Sequence, residues 1–152
     1  MAITEAQKKL VQASFAKVEP IADAAAEIFY NKLFTYDPSL KPLFKHDMKG
    51  QGKKLMTALK LAVKSLDDLD ALVPVLENMA VKHVSYGVKV DDYTPVGNAL
   101  INTLAEGLGD DFTPDCKAAW VEVYKTIAIV MRSKAYPDFD PNTYQNTKQY
   151  VH

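Results

Sequence analysis

Apolar residues recur every three to four positions along most of the chain, the period of helices buried on one face. Thr4-Glu5-Ala6-Gln7 reads as a capping box that opens a helix running to about Val18. Pro20 suits a second start, followed by Ala25, Phe29 and Leu33 at spacing four, with Ile21, Ala24 and Ile28 alongside. Asp37-Pro38 ends that helix and caps a short one carrying Leu40 and Leu43. Lys45 to Gly50 reads as a polar connection before the amphipathic run Leu55, Met56, Leu59, Val63, Leu66. A further helix spans about Leu69 to Tyr86, with Pro74 in its first turn or else kinking it, and Gly87 placed to stop it. Asp92 can cap a helix through Val96, Leu100 and Leu104 that Gly107 and Gly109 end. Thr113-Pro114 opens the last helix, its buried side Trp120, Tyr124, Ile127 and Met131, and Pro137 closes it. No stretch alternates with period two between hairpin turn signals. The expectation is an all-α chain of about six or seven helices.

Composition narrows the class without changing that picture. The 152 residues suit one domain with a real core. Eighteen basic and nineteen acidic residues give a formal charge of −1, which argues against nucleic acid or an anionic membrane as partner. No apolar run approaches a membrane span, and the N-terminus shows no secretory pattern. The single cysteine, Cys116, has no internal partner, so a cytoplasmic setting is expected and Cys116 reads as a structural thiol early in its helix. The polar tail from Tyr136 to His152 reads as an irregular extension packed through its aromatics.

The chemistry gathers around His83. Leu72, Leu76, Met79 and His83 step by four, three and four, placing the imidazole on the apolar face of its helix. A lone histidine there is ordinarily a core residue bonded to something nearby. Gly50-Gln51-Gly52 lacks the preceding strand and following Gly-Lys-Ser/Thr of a phosphate loop. The acidic run Asp67, Asp68, Asp70 reads as a solvated helix cap rather than a cation site. No Cys-x-x-Cys-His is present, which excludes covalently attached c-type haem. Ser65, His83 and nearby aspartates form a triad only on paper, with no strained nucleophile turn. Tyr30 and Tyr93 equally suit amphipathic core positions, Phe44 plain core, and Gln51 an exposed helix start.

Taken in order, Phe-Tyr-x-x-Leu-Phe from Phe29, Asp-Pro-x-Leu-x-Pro-Leu-Phe from Asp37, Gln51-x-x-x-Leu55, Lys82-His83-x-x-x-Gly-Val and Ala-Trp-x-x-x-Tyr ending at Tyr124 form one joint pattern. The chain resembles the globins, specifically bacterial single-domain globins and the haem domain of flavohaemoglobins, over about residues 4–135. The resemblance implies a globin fold of about six to eight helices around haem b, a globin domain over 1–135 and a polar extension over 136–152. It places His83 as proximal iron ligand and Tyr30, Gln51 and Leu55 on the distal side. It places Phe44, Leu55, Lys54, Lys82, Val88, Tyr93 and Val96 around the cofactor, the two lysines as candidates for the propionates. It implies reversible binding of dioxygen and other diatomic ligands, with Tyr30 and Gln51 as hydrogen-bond donors.

Two departures qualify the resemblance. Flavohaemoglobins carry a glutamate fifteen residues after the tryptophan, where this chain has Ala135, so Tyr93 lacks that carboxylate. The imidazole then pushes less electron density onto iron, which disfavours oxygen activation. Only a short tail follows, so turnover as a nitric oxide dioxygenase would require a separate reductase. Oxygen storage or delivery is therefore the first reading and nitric oxide dioxygenation the second. A ligand sensor and a haem-free helical interaction module follow. His46 reads as a loop histidine that could instead reach the iron, and His152 as tail.

Overall fold

The structure, a computed structural model, describes residues 3–43, 48–85, 88, 90–136 and 139–140. Among them stand six α-helices and no strand: α1 Glu5–Val18, α2 Ala22–Tyr36, α3 Met48–Lys64, α4 Leu69–Ser85, α5 Tyr93–Leu108 and α6 Pro114–Ala135. The all-α expectation holds. Short 3₁₀ turns lead into or out of the helices, including Glu19–Ile21 and Pro38–Leu43.

The capping chemistry sets the helix ends. The Thr4 hydroxyl accepts from the Gln7 amide at 3.1 Å, and the Gln7 side chain accepts from the Thr4 amide at 3.0 Å, a reciprocal box that starts α1. Thr113 accepts from the Cys116 amide at 3.2 Å and starts α6. Gly109 ends α5 at a φ of 55°, a left-handed conformation that costs a Cβ-bearing residue more than glycine. Gly107 lies inside α5 instead of ending it. The Ala71 amide bonds the Asp68 carboxylate at 3.3 Å, so the acidic run does cap α4.

Several boundaries and faces differ from expectation. Met48 already begins α3, so Met48 to Gly50 are helical rather than connecting, and Gln51 is helical as expected. Pro74 lies inside α4 beyond its first turn, and the helix continues past it to Ser85. Asp92 precedes α5 but makes no side-chain capping bond, and its side chain is buried. Ile21 is 43% exposed because it belongs to the turn before α2 and falls out of phase with the face Ala25, Ala26, Phe29, Tyr30, Leu33. Ala24 is likewise exposed and Ile28 half-buried. Gly87 and Pro137, expected as helix stops, lie outside the described residues.

Burial organises two apolar clusters. The larger joins Val11, Phe15, Phe29, Tyr30, Leu33, Val63, Leu104 and Trp120 from α1, α2, α3, α5 and α6. Trp120 is fully buried, and its indole N–H donates to the Ser14 hydroxyl at 2.8 Å, tying α6 to α1. The smaller joins Ala62, Leu72, Leu76, Ala80, Tyr93, Ala128 and Met131, chiefly between α4 and α6. The most extensive helix contacts are α2 with α5 and α4 with α6, followed by α1 with α6 and α2 with α3. No helix among the described residues is long and apolar enough to cross a membrane.

Candidate functional site

His83 sits in the last turn of α4, two residues before the helix ends. The buried line of α4 is Leu72, Leu76 and Ala80, and the imidazole stands half-buried at the end of that line rather than deep within it. Its Nδ1 lies 2.5 Å from the Met79 carbonyl oxygen. A carbonyl only accepts, so Nδ1 carries the hydrogen and the ring's lone pair lies on Nε2. Burial lowers the imidazole pKa below its ordinary 6.5, while the bond to Met79 opposes that shift. The ring is thus held neutral, in one tautomer, at a helix end. Those are the properties an imidazole needs to ligate a metal.

Tyr30 lies in the third turn of α2, 7% exposed. Its ring meets Phe29 edge-on at 5.1 Å and stacks on Phe34 at 6.1 Å. Burial pushes the phenol up to about 12, so it remains a protonated donor across the physiological range. The helix α3 crosses close to it. A Cβ at Gly52 would stand 2.9 Å from the Ala26 Cβ and 4.0 Å from Tyr30 Cε2. Glycine at 52 therefore lets α3 seat against α2 beside Tyr30. Gln51 precedes it and is half-buried. Leu55 and Val96 are partly buried and pack against the same cluster as Tyr30.

The start of α5 forms a second polar locus. Tyr93 is 5% exposed, and its hydroxyl has no hydrogen-bond partner among the described residues. Burial raises its pKa most, Tyr136 and Asp92 add to that, and Arg132 opposes it. The Tyr93 carbonyl accepts from the Tyr124 hydroxyl at 2.5 Å. The Arg132 guanidinium lies over the Tyr93 ring, 5.3 Å from its centroid, and donates to the Thr94 hydroxyl at 3.3 Å. Val88 packs against the smaller cluster, its amide donating to the His83 carbonyl at 3.1 Å.

The structure thus brings Tyr30, Leu55 and Val96 into one cluster and puts Val88 and Tyr93 in the other, while Gln51 is half-buried on α3. Lys54 and Lys82 are exposed on α3 and α4. Phe44 and His46 lie outside the described residues. Among the described residues no group of three or more His, Cys, Asp or Glu is placed to hold a metal ion. Cys116 is buried. Sequence reasoning missed Arg132 and Tyr136. Their signal was present: Ala128, Arg132 and Tyr136 step by four along the buried side of α6, so a cation falls within an apolar stripe.

The family model described as Globin matches residues 27–131, which run from α2 into the last turns of α6. A flavohemoprotein of Halalkalibacterium halodurans is 30% identical over 131 residues, 84% of this chain and 32% of the relative. One of Chromobacterium violaceum is 33% identical over 129 residues, 83% of this chain and 32% of the relative. One of Vibrio cholerae is 30% identical over 131 residues, 84% and 33% respectively. The chain spans about a third of the length of these curated relatives.

Proposed function

The chain belongs to the globin family, and from that premise we propose that it holds haem b through His83 and reversibly binds dioxygen and other diatomic ligands. The observation that carries the reading is the bond from His83 Nδ1 to the Met79 carbonyl. It leaves Nε2 unprotonated, the state in which an imidazole nitrogen can bind iron. The buried Tyr93 hydroxyl fits the same reading, because a buried polar atom with no hydrogen-bond partner among the described residues marks a place where another group belongs.

Haem, held by His83, would supply an iron able to bind dioxygen and other diatomic ligands. The chain's residues do the rest. Met79 holds the imidazole in the ligating tautomer. Tyr30 offers a phenol O–H that burial keeps protonated, a donor to the partial negative charge on a dioxygen ligand. Gln51, next to the α2–α3 crossing, can orient that phenol or donate itself. Leu55 and Val96 exclude water, which strengthens any hydrogen bond made inside. Phe44 would pack on the porphyrin, and Lys54 and Lys82 are exposed where they can meet propionates.

Ala135 stands where a flavohaemoglobin-like carboxylate would face Tyr93, and the Tyr93 hydroxyl finds no hydrogen-bond partner among the described residues. That observation favours ligand binding over nitric oxide dioxygenation. The deciding experiment is the absorption spectrum of protein reconstituted with hemin. A Soret band that disappears in His83→Ala is expected. Colourless wild type would support a haem-free helical module and remove the reading.

A further inference from the structure

The last turn of α6 grips the chain on both sides of the α4–α5 connection. On the α4 side, the Tyr136 hydroxyl donates to the Val88 carbonyl at 2.6 Å, and the Val88 amide donates to the His83 carbonyl at 3.1 Å. On the α5 side, Arg132 lies over the Tyr93 ring and donates to Thr94, while Tyr124 donates to the Tyr93 carbonyl. Arg132 is 5% exposed and Thr94 fully buried. Burying a guanidinium is costly unless its surroundings satisfy it, so this corner is defined by polar contacts as well as apolar packing. The Tyr136 amide in turn donates to the Arg132 carbonyl at 2.9 Å, so the two side chains leave one helical turn.

We propose that Tyr136 is a positioning residue for His83: its hydroxyl holds the backbone leaving α4 through Val88 while Arg132 holds the start of α5. The imidazole projects from the turn whose carbonyl Val88 caps. Its placement along the axis therefore follows from where α6 ends. Nothing in the resemblance assigns this role. Tyr136 opens the segment read as an extension packed through its aromatics, and its hydroxyl bonds the Val88 carbonyl.

The proposal rests on the haem reading, and its test separates the two. Tyr136→Phe removes one neutral hydrogen bond, which is worth about 0.5–1.5 kcal/mol, a roughly two- to tenfold effect. In the haem-free chain the Val88 amide should exchange with solvent faster by about that factor. In the ferrous haem-loaded protein the iron–histidine stretching band, read by resonance Raman, should shift. Trp120→Phe removes a comparable hydrogen bond to Ser14 at the α1–α6 contact. It should move neither readout. An unmoved band or unchanged Val88 exchange in Tyr136→Phe overturns the proposal. So does an equal shift in Trp120→Phe, which would make the effect merely one of stability. Wild type that takes up no hemin overturns the haem reading, and Tyr136's role toward iron falls with it.

Discussion

Two residues translate burial into chemistry. For Tyr30, removal of the hydroxyl should abolish a hydrogen bond to a partly charged acceptor, worth roughly 1.5–3 kcal/mol. Tyr30→Phe should therefore speed dioxygen dissociation by about tenfold or more, measured by stopped-flow displacement with carbon monoxide. An unchanged rate would exclude Tyr30 from ligand stabilisation. The same phenol has a linkage consequence. Its pKa rises from 10.0 in a free chain to about 12 when folded. Between those values the unfolded chain binds fewer protons than the folded one, so stability falls as pH rises. Denaturant midpoints should drop across that window and drop less in Tyr30→Phe. His83 has the opposite sign. Burial lowers its pKa, so the neutral ring is favoured in the folded chain, and that contribution is lost as pH falls below 6.5 and through the lowered folded value. Haem retention should weaken over the same acid range, because protonating Nε2 removes the ligand lone pair. A hemin-transfer assay against pH would show it.

At the scale of helices, two close crossings decide where the side chains stand. Gly97 on α5 faces the Tyr124 ring of α6, and a Cβ there would lie 2.7 Å from Tyr124 Cε2. Tyr124 is also the donor to the Tyr93 carbonyl, so the ring cannot move without loosening the start of α5. Gly97→Ala should destabilise the fold by about 1–3 kcal/mol, the usual cost of overpacking. Thermal melting of the variant checks this, and an unshifted melting temperature would mean that Tyr124 yields freely. Gly52 does the same for α2 and α3. There the contact is with the Ala26 Cβ at 2.9 Å, between short groups that have no flexible end to give way. The sequence pattern found these helices and missed these glycines. A helix-interior glycine carries no periodic signal, and only the neighbouring helix shows what a methyl group would meet.

For the molecule as a whole, the chain matches about a third of each flavohemoprotein relative, so the activity of those larger proteins does not transfer with the fold. Mixing with nitric oxide and a cellular reductase should give at most slow multiple turnovers, given Ala135 in place of a carboxylate and a Tyr93 hydroxyl with no hydrogen-bond partner among the described residues. Fast sustained nitrate production would reverse the ranking of the two readings. The sequence alone determined the all-α class, the caps at Thr4 and Thr113, the buried Trp120 and the candidacy of His83, Tyr30 and Gln51. The class, the caps and the buried Trp120 follow from local spacing or from hydrogen bonds made within three or four residues, whereas His83, Tyr30 and Gln51 became candidates through the family resemblance. Only the tertiary structure decided that the Tyr93 hydroxyl is buried with no hydrogen-bond partner among the described residues, and that Arg132 and Tyr136 close on Tyr93 and Val88. Contacts between helices depend on which faces meet and how near, and the period of a single helix carries no information about its neighbour.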